Sequence, residues 1–283
     1  MKFNDFIFRL SLCEHLGSVN QLKIIRAKIA SPEAALATLL KTAGISSQQG
    51  QAILNQWFSP ELDRRMRLNQ TVPHLLITDE AYPAALKESY GAPTVLYYRG
   101  NRELLTTQML AVVGARQMSS YGQMVMDQLL PPVIYAGITI VSGLARGVDG
   151  YSHHIAIDHA GKTIAVIGTG LDRFYPQEHR QLMQQMMQSQ LVLTEYPLGT
   201  PPLASHFPAR NRIIAGLCQS CLVVEGRQRS GSLITANLAL QENRNVLAVP
   251  GAINHELSTG CNELIAEGAK PILRALDILE EFT

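Results

Sequence analysis

The hydrophobic pattern changes near residue 70, and the two parts of the chain predict different folds. In the first part, apolar residues recur at helical spacing within segments 19–29, 32–43 and 46–58. A polar stretch, 63–73, then interrupts the pattern and ends in a proline. The sequence therefore predicts a small all-helical domain over residues 1–70, with the boundary in this polar stretch.

Beyond the boundary, short apolar runs alternate with segments of helix length. Eight runs predict strands: 74–78, 94–99, 109–114, 138–143, 163–168, 191–195, 221–226 and 246–250. The predicted helices between them are 120–135, 149–160, 178–189 and 230–243. Several runs are continuously apolar, which is typical of strands buried on both faces of a parallel sheet. Residues 71–283 therefore predict a doubly wound α/β domain with a mainly parallel sheet.

Composition excludes some classes of protein. With 46% hydrophobic residues, 17% charged residues and a net charge of +1, the chain has no overall basic field to attract nucleic acid, although a local site is compatible with these values. No apolar run is long enough to span a bilayer, and the N-terminus lacks the apolar core of a signal peptide. We therefore expect a cytoplasmic protein with no membrane partner. Cys218 and Cys221 have no second pair at zinc spacing, so no metal site is predicted.

The cations of the α/β part are almost all arginines. Between residues 110 and 260 there are nine arginines, nine acidic residues and a single lysine, Lys162. A guanidinium group makes forked contacts with phosphates or with carboxylates. Internal ion pairs and an external phosphate ligand are both compatible with this count.

The loops that follow the predicted strands share a composition. Four strands end in a glycine and lead into the polar segments 114–122, 143–150, 168–172 and 226–232, three of which contain arginines. Ligands of doubly wound folds bind at this carboxyl edge of the sheet, where glycines let the backbone come close. We also expect Ser230 or Ser232 to cap a helix whose N–H groups face an anion. Together the loops favour a phosphate-rich ligand over purely structural turns.

Signs of catalysis are weak. The chain has neither a G-x-G-x-x-G segment that opens a helix nor a Walker sequence. Asp149 and His153 lie four residues apart, so their side chains can touch on a helix. Such a contact more simply fixes the loop than carries out chemistry. Glu195 and Glu225 end strands and are equally natural partners for arginines. No nucleophile, base and orienting group are found together, so we predict neither an enzyme nor a cofactor.

The segment FPARNRIIAG, 207–216, places Arg210, Asn211 and Arg212 directly before an apolar run. Buried cations need a partner, either an internal carboxylate or an external phosphate. At helical pitch the two arginines are about 200° apart. We therefore expect one of them to face the ligand and the other to secure the loop, with Ile213 and Ile214 at the start of a helix.

Taken together, these segments resemble the DNA-processing protein A (DprA/Smf) family. The resemblance covers about residues 70 to 275 in order and at compatible spacing. It is carried by the sequences VVGAR (112–116), SGLARGVD (142–149), AVIGTGLDRFYP (165–176), LTEYPLGTPP (193–202), FPARNRIIAGL (207–217), VVEGRQRSGSLITA (223–236), VLAVPG (246–251) and GCNELIAEGA (260–269).

The resemblance implies an extended Rossmann-like domain that follows a small helical domain similar to a sterile-alpha-motif (SAM) module. It implies a homodimer that binds single-stranded DNA without strong sequence preference, protects incoming DNA and loads a RecA-type recombinase during natural transformation. No catalytic activity belongs to that picture. Many relatives carry a C-terminal winged-helix domain. This chain stops at Thr283, soon after its last predicted helix, so we expect that domain to be absent.

By position, the resemblance implies a set of DNA-binding residues. They are Gly114, Arg116, Ser142, Gly143, Arg146, Phe207, Arg210, Asn211, Arg212, Ser230, Gly231 and Ser232. Phe207 matches a residue placed against a DNA base. The chain departs from the family at Ala204 and Gln177, where relatives often have lysines. Either the site is weaker, or it depends on Arg173, Arg180 and His206 instead.

A different function would explain the same loops. A pocket for a single nucleotide, as in a Rossmann-type nucleotide phosphoribohydrolase, also needs glycines and arginines at the carboxyl edge. Such hydrolases show a P-G-G-x-G-T-x-x-E segment, which this chain lacks. A purely structural interaction module would instead leave the arginines paired internally.

Overall fold

The computed structural model describes all 283 residues, from Met1 to Thr283. The chain forms two compact units, Met1–Tyr97 and Tyr98–Thr283. The polar stretch in which we expected the boundary lies in the first unit, which continues for more than twenty residues beyond it.

The first unit begins with five helices, followed by a strand pair. The helices are α1 (Phe3–Ser11), α2 (Ser18–Ala30), α3 (Leu36–Thr42), α4 (Ser47–Trp57) and α5 (Pro60–Gln70). Strand β1 (His74–Leu76) pairs antiparallel with β2 (Val95–Gly100), and a short helix, α6 (Ala84–Lys87), lies between them in sequence. The three helices predicted from apolar spacing are confirmed, whereas α1 and α5 were not predicted.

Helix α5 forms although its sequence is largely polar. The Ser59 hydroxyl accepts a hydrogen bond from the Leu62 N–H, Pro60 occupies the first turn, and two acidic residues lie near the helix N-terminus. Leu62 is fully buried, and Asn69 is buried with its amide donating to the Arg65 carbonyl. Capping and two buried positions thus specify this helix without an apolar stripe, and most of the polar stretch 63–73 is helical.

The second unit alternates strands and helices. The strands are β3 (Met109–Val113), β4 (Thr139–Ser142), β5 (Thr163–Val166), β6 (Leu191–Thr194), β7 (Ser220–Val223), β8 (Asn245–Ala248) and β9 (Lys270–Pro271). The helices are α7 (Ser120–Tyr135), α8 (Val148–Asp158), α9 (Arg180–Ser189), α10 (His206–Leu217), α11 (Gly231–Gln241), α12 (Thr259–Ala266) and α13 (Ala275–Leu279). The six strands predicted here and the four predicted helices are confirmed, as are the two strands predicted earlier in the chain, β1 and β2. Strand β9 is an additional short strand.

Within this unit the strand order is β6-β5-β4-β3-β7-β8-β9, and neighbouring strands are parallel. The chain therefore builds outward from β3 through β4, β5 and β6, and then crosses back to β7 on the other side of β3. Because parallel crossovers are right-handed, connections that run in opposite directions put their helices on opposite faces. Helices α7 and α8 pack against each other, as do α10 and α11. This is the predicted doubly wound, Rossmann-like architecture.

The sheet is buried on both faces, as the continuous apolar runs indicated. Every residue of β3, β4, β5, β6 and β7 is buried. One core cluster joins β3, β4, β7 and β8 to α7, α8 and α13. A rigid, dehydrated sheet of this kind holds the loops at its carboxyl edge in fixed positions. None of the helices is long and apolar enough to cross a bilayer.

Candidate nucleic-acid interface

The order of the strands indicates one position along the carboxyl edge of the sheet as the candidate site. The loop after β3 leads toward β4, whereas the loop after β7 leads toward β8, so the two loops diverge from neighbouring strands. Such a switch point opens the crevice in which doubly wound sheets bind ligands. Arg116 lies in the first of these loops, and the second leads through Ser230 into α11.

Arg116 is an exposed cation without a carboxylate partner. Its guanidinium carbon lies 5.8 Å from the centre of the Phe207 ring, within the range of a cation–π interaction. The charge is thus positioned by an aromatic ring and is not neutralised. Arg116 and Phe207 are far apart in sequence, and the fold brings them together. They thus provide a cation beside an aromatic surface.

Phe207 belongs to a cluster of rings at the ends of β5 and β6, which we call the aromatic cluster (Tyr175, Tyr196, His206 and Phe207). The rings of Phe207 and Tyr175 are 5.3 Å apart and inclined by 32°. Those of Tyr196 and His206 stack at 4.0 Å and 16°. A Cβ atom on Gly168 would lie only 3.2 Å from Phe207, so this glycine makes room for the ring.

The N-terminus of α11 lies on the other side of the switch point. Ser230 occupies the N-cap position, but its hydroxyl pairs with that of Ser232 at 2.9 Å and accepts no hydrogen bond from a backbone N–H of the first turn. The prediction that a serine caps this helix was therefore wrong. Gly231 is exposed and has open space where a side chain would be. Uncapped N–H groups at a helix N-terminus favour an anion.

Arg210 does not face solvent. It is 4% exposed, and its guanidinium group donates to the carbonyls of Gly143 and Val166. Burial lowers the pKa of Arg210 to about 10, an effect that the Asp149 carboxylate opposes, so the group stays protonated at neutral pH. The prediction that Arg210 contacts DNA is corrected: it ties the ends of β4 and β5 together from inside. Helix α10 also begins at His206, earlier than the predicted start near Ile213.

The loop after β4 is fixed from within by several bonds. The Asp149 carboxylate accepts from the Gly143 N–H at 3.2 Å, and burial raises the pKa of Asp149 while Arg210 opposes the shift. The Ser142 hydroxyl is fully buried and donates to the Val112 carbonyl at 2.6 Å. The Ser142 side chain thus supports the loop from inside, and the place of Ser142 and Gly143 in the DNA site stays a prediction.

Glu225 fixes the loop that carries Arg116. It is 1% exposed, and it accepts from the Ser119 N–H at 2.9 Å and from the Ser119 hydroxyl. Its partner is therefore the start of α7, and not an arginine as we had considered from sequence. The acid at the end of β7 was visible in the sequence, but its partner was not.

Arg212 has the internal partner that sequence reasoning left open. Its guanidinium group makes a forked ion pair with Glu195, with distances of 2.8 and 2.6 Å. Both side chains are 16% exposed. Asn211 accepts from the Nε of Arg210 at 3.0 Å and donates to the Gly231 carbonyl at 3.4 Å. The three polar residues of the segment thus connect loops to one another.

The remaining arginines at this edge are exposed and differ in their partners. Arg146 pairs with Glu178, Arg173 lies 3.8 Å from Asp172, and Arg227 lies 3.1 Å from Glu256. Exposed pairs of this kind contribute little and exchange partners easily. The arginines of this edge without a carboxylate partner are Arg116, Arg180 and Arg229, of which Arg180 lies 5.1 Å from the centre of the Phe174 ring.

At the strand ends, the space left by the missing side chains of the glycines is occupied mainly by other residues of the protein. A Cβ atom on Gly114 would collide with Val148, and one on Gly143 would collide with the Arg210 guanidinium group. One on Gly226 would lie 2.9 Å from the Ser232 hydroxyl oxygen. These glycines therefore allow tight packing between loops. Only Gly231, of the predicted site glycines, borders open space.

The groups considered for chemistry are engaged separately. Asp149 bonds to the Gly143 backbone, whereas the Nδ1 atom of His153 lies 2.6 Å from the Thr163 hydroxyl. His153 is fully buried, and this burial lowers its pKa to about 3. No group of three or more His, Cys, Asp or Glu side chains is arranged to hold a metal ion.

Comparison with known protein families shows which family the chain belongs to. A family model described as DNA recombination-mediator protein A matches residues 73–283. The chain belongs to this family. The family expected from the loop sequences is therefore confirmed, and the chain is a member of a group of DNA-processing proteins.

Individual relatives agree over most of their length. DNA processing protein DprA of Streptococcus pneumoniae is 48% identical over 213 residues, covering 75% of each chain. The Bacillus subtilis protein of the same name is 37% identical over 281 residues, covering 96% of this chain and 95% of its own. Protein Smf of Escherichia coli is 39% identical over 246 residues, covering 86% of this chain and 66% of its own.

Two solved structures have the family's fold. An X-ray structure of S. pneumoniae DNA processing protein A superimposes with a TM-score of 0.91 at 40% identity, covering 98% of this chain and 97% of the other. A Helicobacter pylori DNA processing protein A, whose single-stranded DNA binding mode was the subject of its structure, gives 0.67 at 27% identity, covering 76% and 97%. The family fold thus extends across both units of the chain.

Proposed function

We propose that this protein binds single-stranded DNA at the carboxyl edge of its parallel sheet. The observation that carries the proposal is the position of Arg116, an unneutralised cation held over the ring of Phe207 at the switch point. Binding of single strands combines a cationic groove with aromatic surfaces on which bases stack. The uncapped N-terminus of α11 adds N–H donors for a phosphate on the other side of the crevice.

The buried polar groups define the roles of the remaining candidate residues. Gly143 and Ser142 lie in a loop that Arg210 and Asp149 hold from beneath, so we assign them to supporting the site. Arg146 and Arg212 are paired with carboxylates, and each contributes to DNA binding only by exchanging that partner for a phosphate. Direct contact is assigned to Arg116, Phe207, Ser230, Gly231 and Ser232.

We also propose that the DNA-bound protein acts as a homodimer that protects incoming strands and loads a RecA-type recombinase during natural transformation. The support is family membership, since the family is described as a recombination mediator and its relatives as DNA-processing proteins. A recombinase partner is tested by mixing the protein, DNA and a RecA-type protein, and measuring filament formation. Formation that is not accelerated by the protein would contradict this part of the proposal.

A competition experiment separates DNA binding from a site for one nucleotide. The probe is a fluorescently labelled oligothymidylate, and the competitors are unlabelled oligothymidylate, duplex DNA and thymidine monophosphate. We expect the unlabelled single strand to displace the probe far better than the duplex or the mononucleotide, because several phosphates and bases contribute. Equal displacement by the mononucleotide, compared per site, would instead favour a nucleotide-binding enzyme.

A further inference from the structure

The environment of Phe207 raises a question about where a base stacks. Arg116 lies over this ring, Gly168 closely approaches its Cδ1 edge, and Tyr175 packs beside it. Phe207 is half-buried, and these neighbours contact its ring on several sides. A flat ligand that approaches it also encounters the ring of Tyr175.

Tyr175 has the exposure that a stacking surface needs. Its side chain is 42% exposed, although its ring is 5.3 Å from that of Phe207 and is held at a fixed inclination. Rings at this separation are in contact and leave no space for a base between them. The surface available to a base is therefore the side of Tyr175 turned away from Phe207.

Two arginines contact residues that neighbour Tyr175 in the chain. Arg146, from the loop after β4, pairs with Glu178, which lies three residues after Tyr175 in the chain. Arg180 is held over Phe174, the residue directly before Tyr175. A nucleotide stacked on Tyr175 would thus lie near two guanidinium groups, which attract its phosphates.

We propose that Tyr175 is a second base-stacking residue, which extends the DNA site by one nucleotide beyond Phe207 toward the loop between β5 and α9. The proposal rests on the proposed function, because it assumes that single-stranded DNA occupies the carboxyl edge. Stacking on an aromatic side chain accepts any base, so the added position strengthens binding without selecting a sequence.

The test distinguishes stacking of a base on Tyr175 from simple packing of Tyr175 against Phe207. Tyr175→Leu removes the aromatic face but keeps an apolar side chain beside Phe207, whereas Tyr175→Phe keeps the face and removes only the hydroxyl. Tyr135→Leu serves as the matched control, because Tyr135 is an exposed tyrosine at the end of α7 and lies outside the candidate site. Affinities are measured by anisotropy for an oligothymidylate and for an abasic strand of the same length.

Removal of one stacking position is expected to weaken binding of oligothymidylate by at least about fivefold. We expect this loss for Tyr175→Leu alone, with Tyr175→Phe and Tyr135→Leu similar to wild type. On the abasic strand all four proteins are expected to bind equally, since no base is present to stack.

Two outcomes overturn the inference while leaving the proposed function intact. If Tyr175→Leu binds oligothymidylate as wild type does, Tyr175 is not a stacking surface. If it loses equal affinity for both strands, its role is to support Phe207 or the backbone contacts. Failure of the wild-type protein to prefer a single strand over a mononucleotide would overturn the proposed function, and the inference with it.

Discussion

Arg116 and Arg210 show how burial separates two cations that lie at the same edge of the sheet. Arg210 is buried, and its guanidinium group donates to two backbone carbonyls near the Asp149 carboxylate. It therefore connects loops inside the protein. Arg116 keeps its solvent and has only an aromatic neighbour. An incoming phosphate therefore meets no competing carboxylate at Arg116, whereas it would have to disrupt the fold to reach Arg210.

His153 gives a residue-level prediction about pH. Its pKa is lowered to about 3, first by burial and then by the neighbouring charges of His179, His154 and Arg210. In the unfolded chain an ordinary imidazole binds a proton below about pH 6.5. Between these values the unfolded state binds one proton more, so the free energy of unfolding falls as the pH falls, by about 1.4 kcal/mol per pH unit.

We expect His153→Leu to remove this contribution and to make the pH dependence shallower between about pH 6.5 and about pH 3. His154→Leu is the matched control, because His154 is the next residue in the chain but is exposed. The measurement is urea unfolding at a series of pH values. An unchanged slope in His153→Leu, or an equal change in both variants, would contradict the argument.

Residue types could be predicted from the sequence more readily than their partners. Phe207 and Arg116 were both candidates, but only the fold places one against the other. The choice between carboxylate and phosphate for Arg210 and Arg212 depended on which side of α10 met the sheet, and short-range spacing does not contain that information. Tyr175 gave no signal of its own, because an isolated aromatic residue is more often part of a core.

At the scale of elements, the site depends on loops that are packed against one another. The N–H of Val148 donates to the Ala115 carbonyl at 3.2 Å, which joins the start of α8 to the loop after β3. Gly147 makes this contact possible, since it has a φ of +69° and a Cβ atom there would collide with the Ala115 carbonyl oxygen. The Arg116 loop is thus positioned by backbone contact with its neighbour.

We therefore expect Gly147→Ala to lower both stability and DNA affinity. Gly137→Ala is the matched control, because Gly137 has a φ of +85° but nothing within 4 Å of an added Cβ. Both variants place a Cβ atom on a residue of positive φ, which costs at least about 1–2 kcal/mol. Gly147→Ala should be less stable than the control by about a further 1–3 kcal/mol in urea unfolding, because a backbone contact must also break. Equal stability and equal affinity of the two variants would show that the loops do not depend on this contact.

The strands and helices of the second unit could be predicted because their signals are local. Continuous apolar runs of β3 to β8 matched strands buried on both faces, and helix-length segments separated them. Helix α5 escaped prediction because capping and two buried residues specify it, and hydrophobic periodicity does not report either. The start of α10 was predicted too late in the chain because its first turn contains Pro208 and is followed by three polar residues, 210–212.

At the scale of the whole molecule, a nearly neutral chain is compatible with a nucleic-acid partner. The net charge is only +1, so long-range attraction of DNA is weak. Recognition must then come from local groups, which the switch point of the sheet collects from loops distant in sequence. The order of strands is a property of the entire chain, and this explains why composition alone did not decide between ligands.

The salt dependence of DNA binding tests the central claim most directly. For single strands the logarithm of the binding constant falls with the logarithm of salt concentration, with a slope of about −0.7 for each phosphate neutralised. Anisotropy titrations of labelled oligothymidylate are made at several salt concentrations with wild type, Arg116→Ala and Arg102→Ala. Arg102 is the control, an exposed arginine in the turn Arg102–Thr106 before β3. We predict weaker binding and a slope flatter by about 0.7 for Arg116→Ala alone, whereas the same affinity and slope in all three proteins would contradict a DNA site at this edge of the sheet.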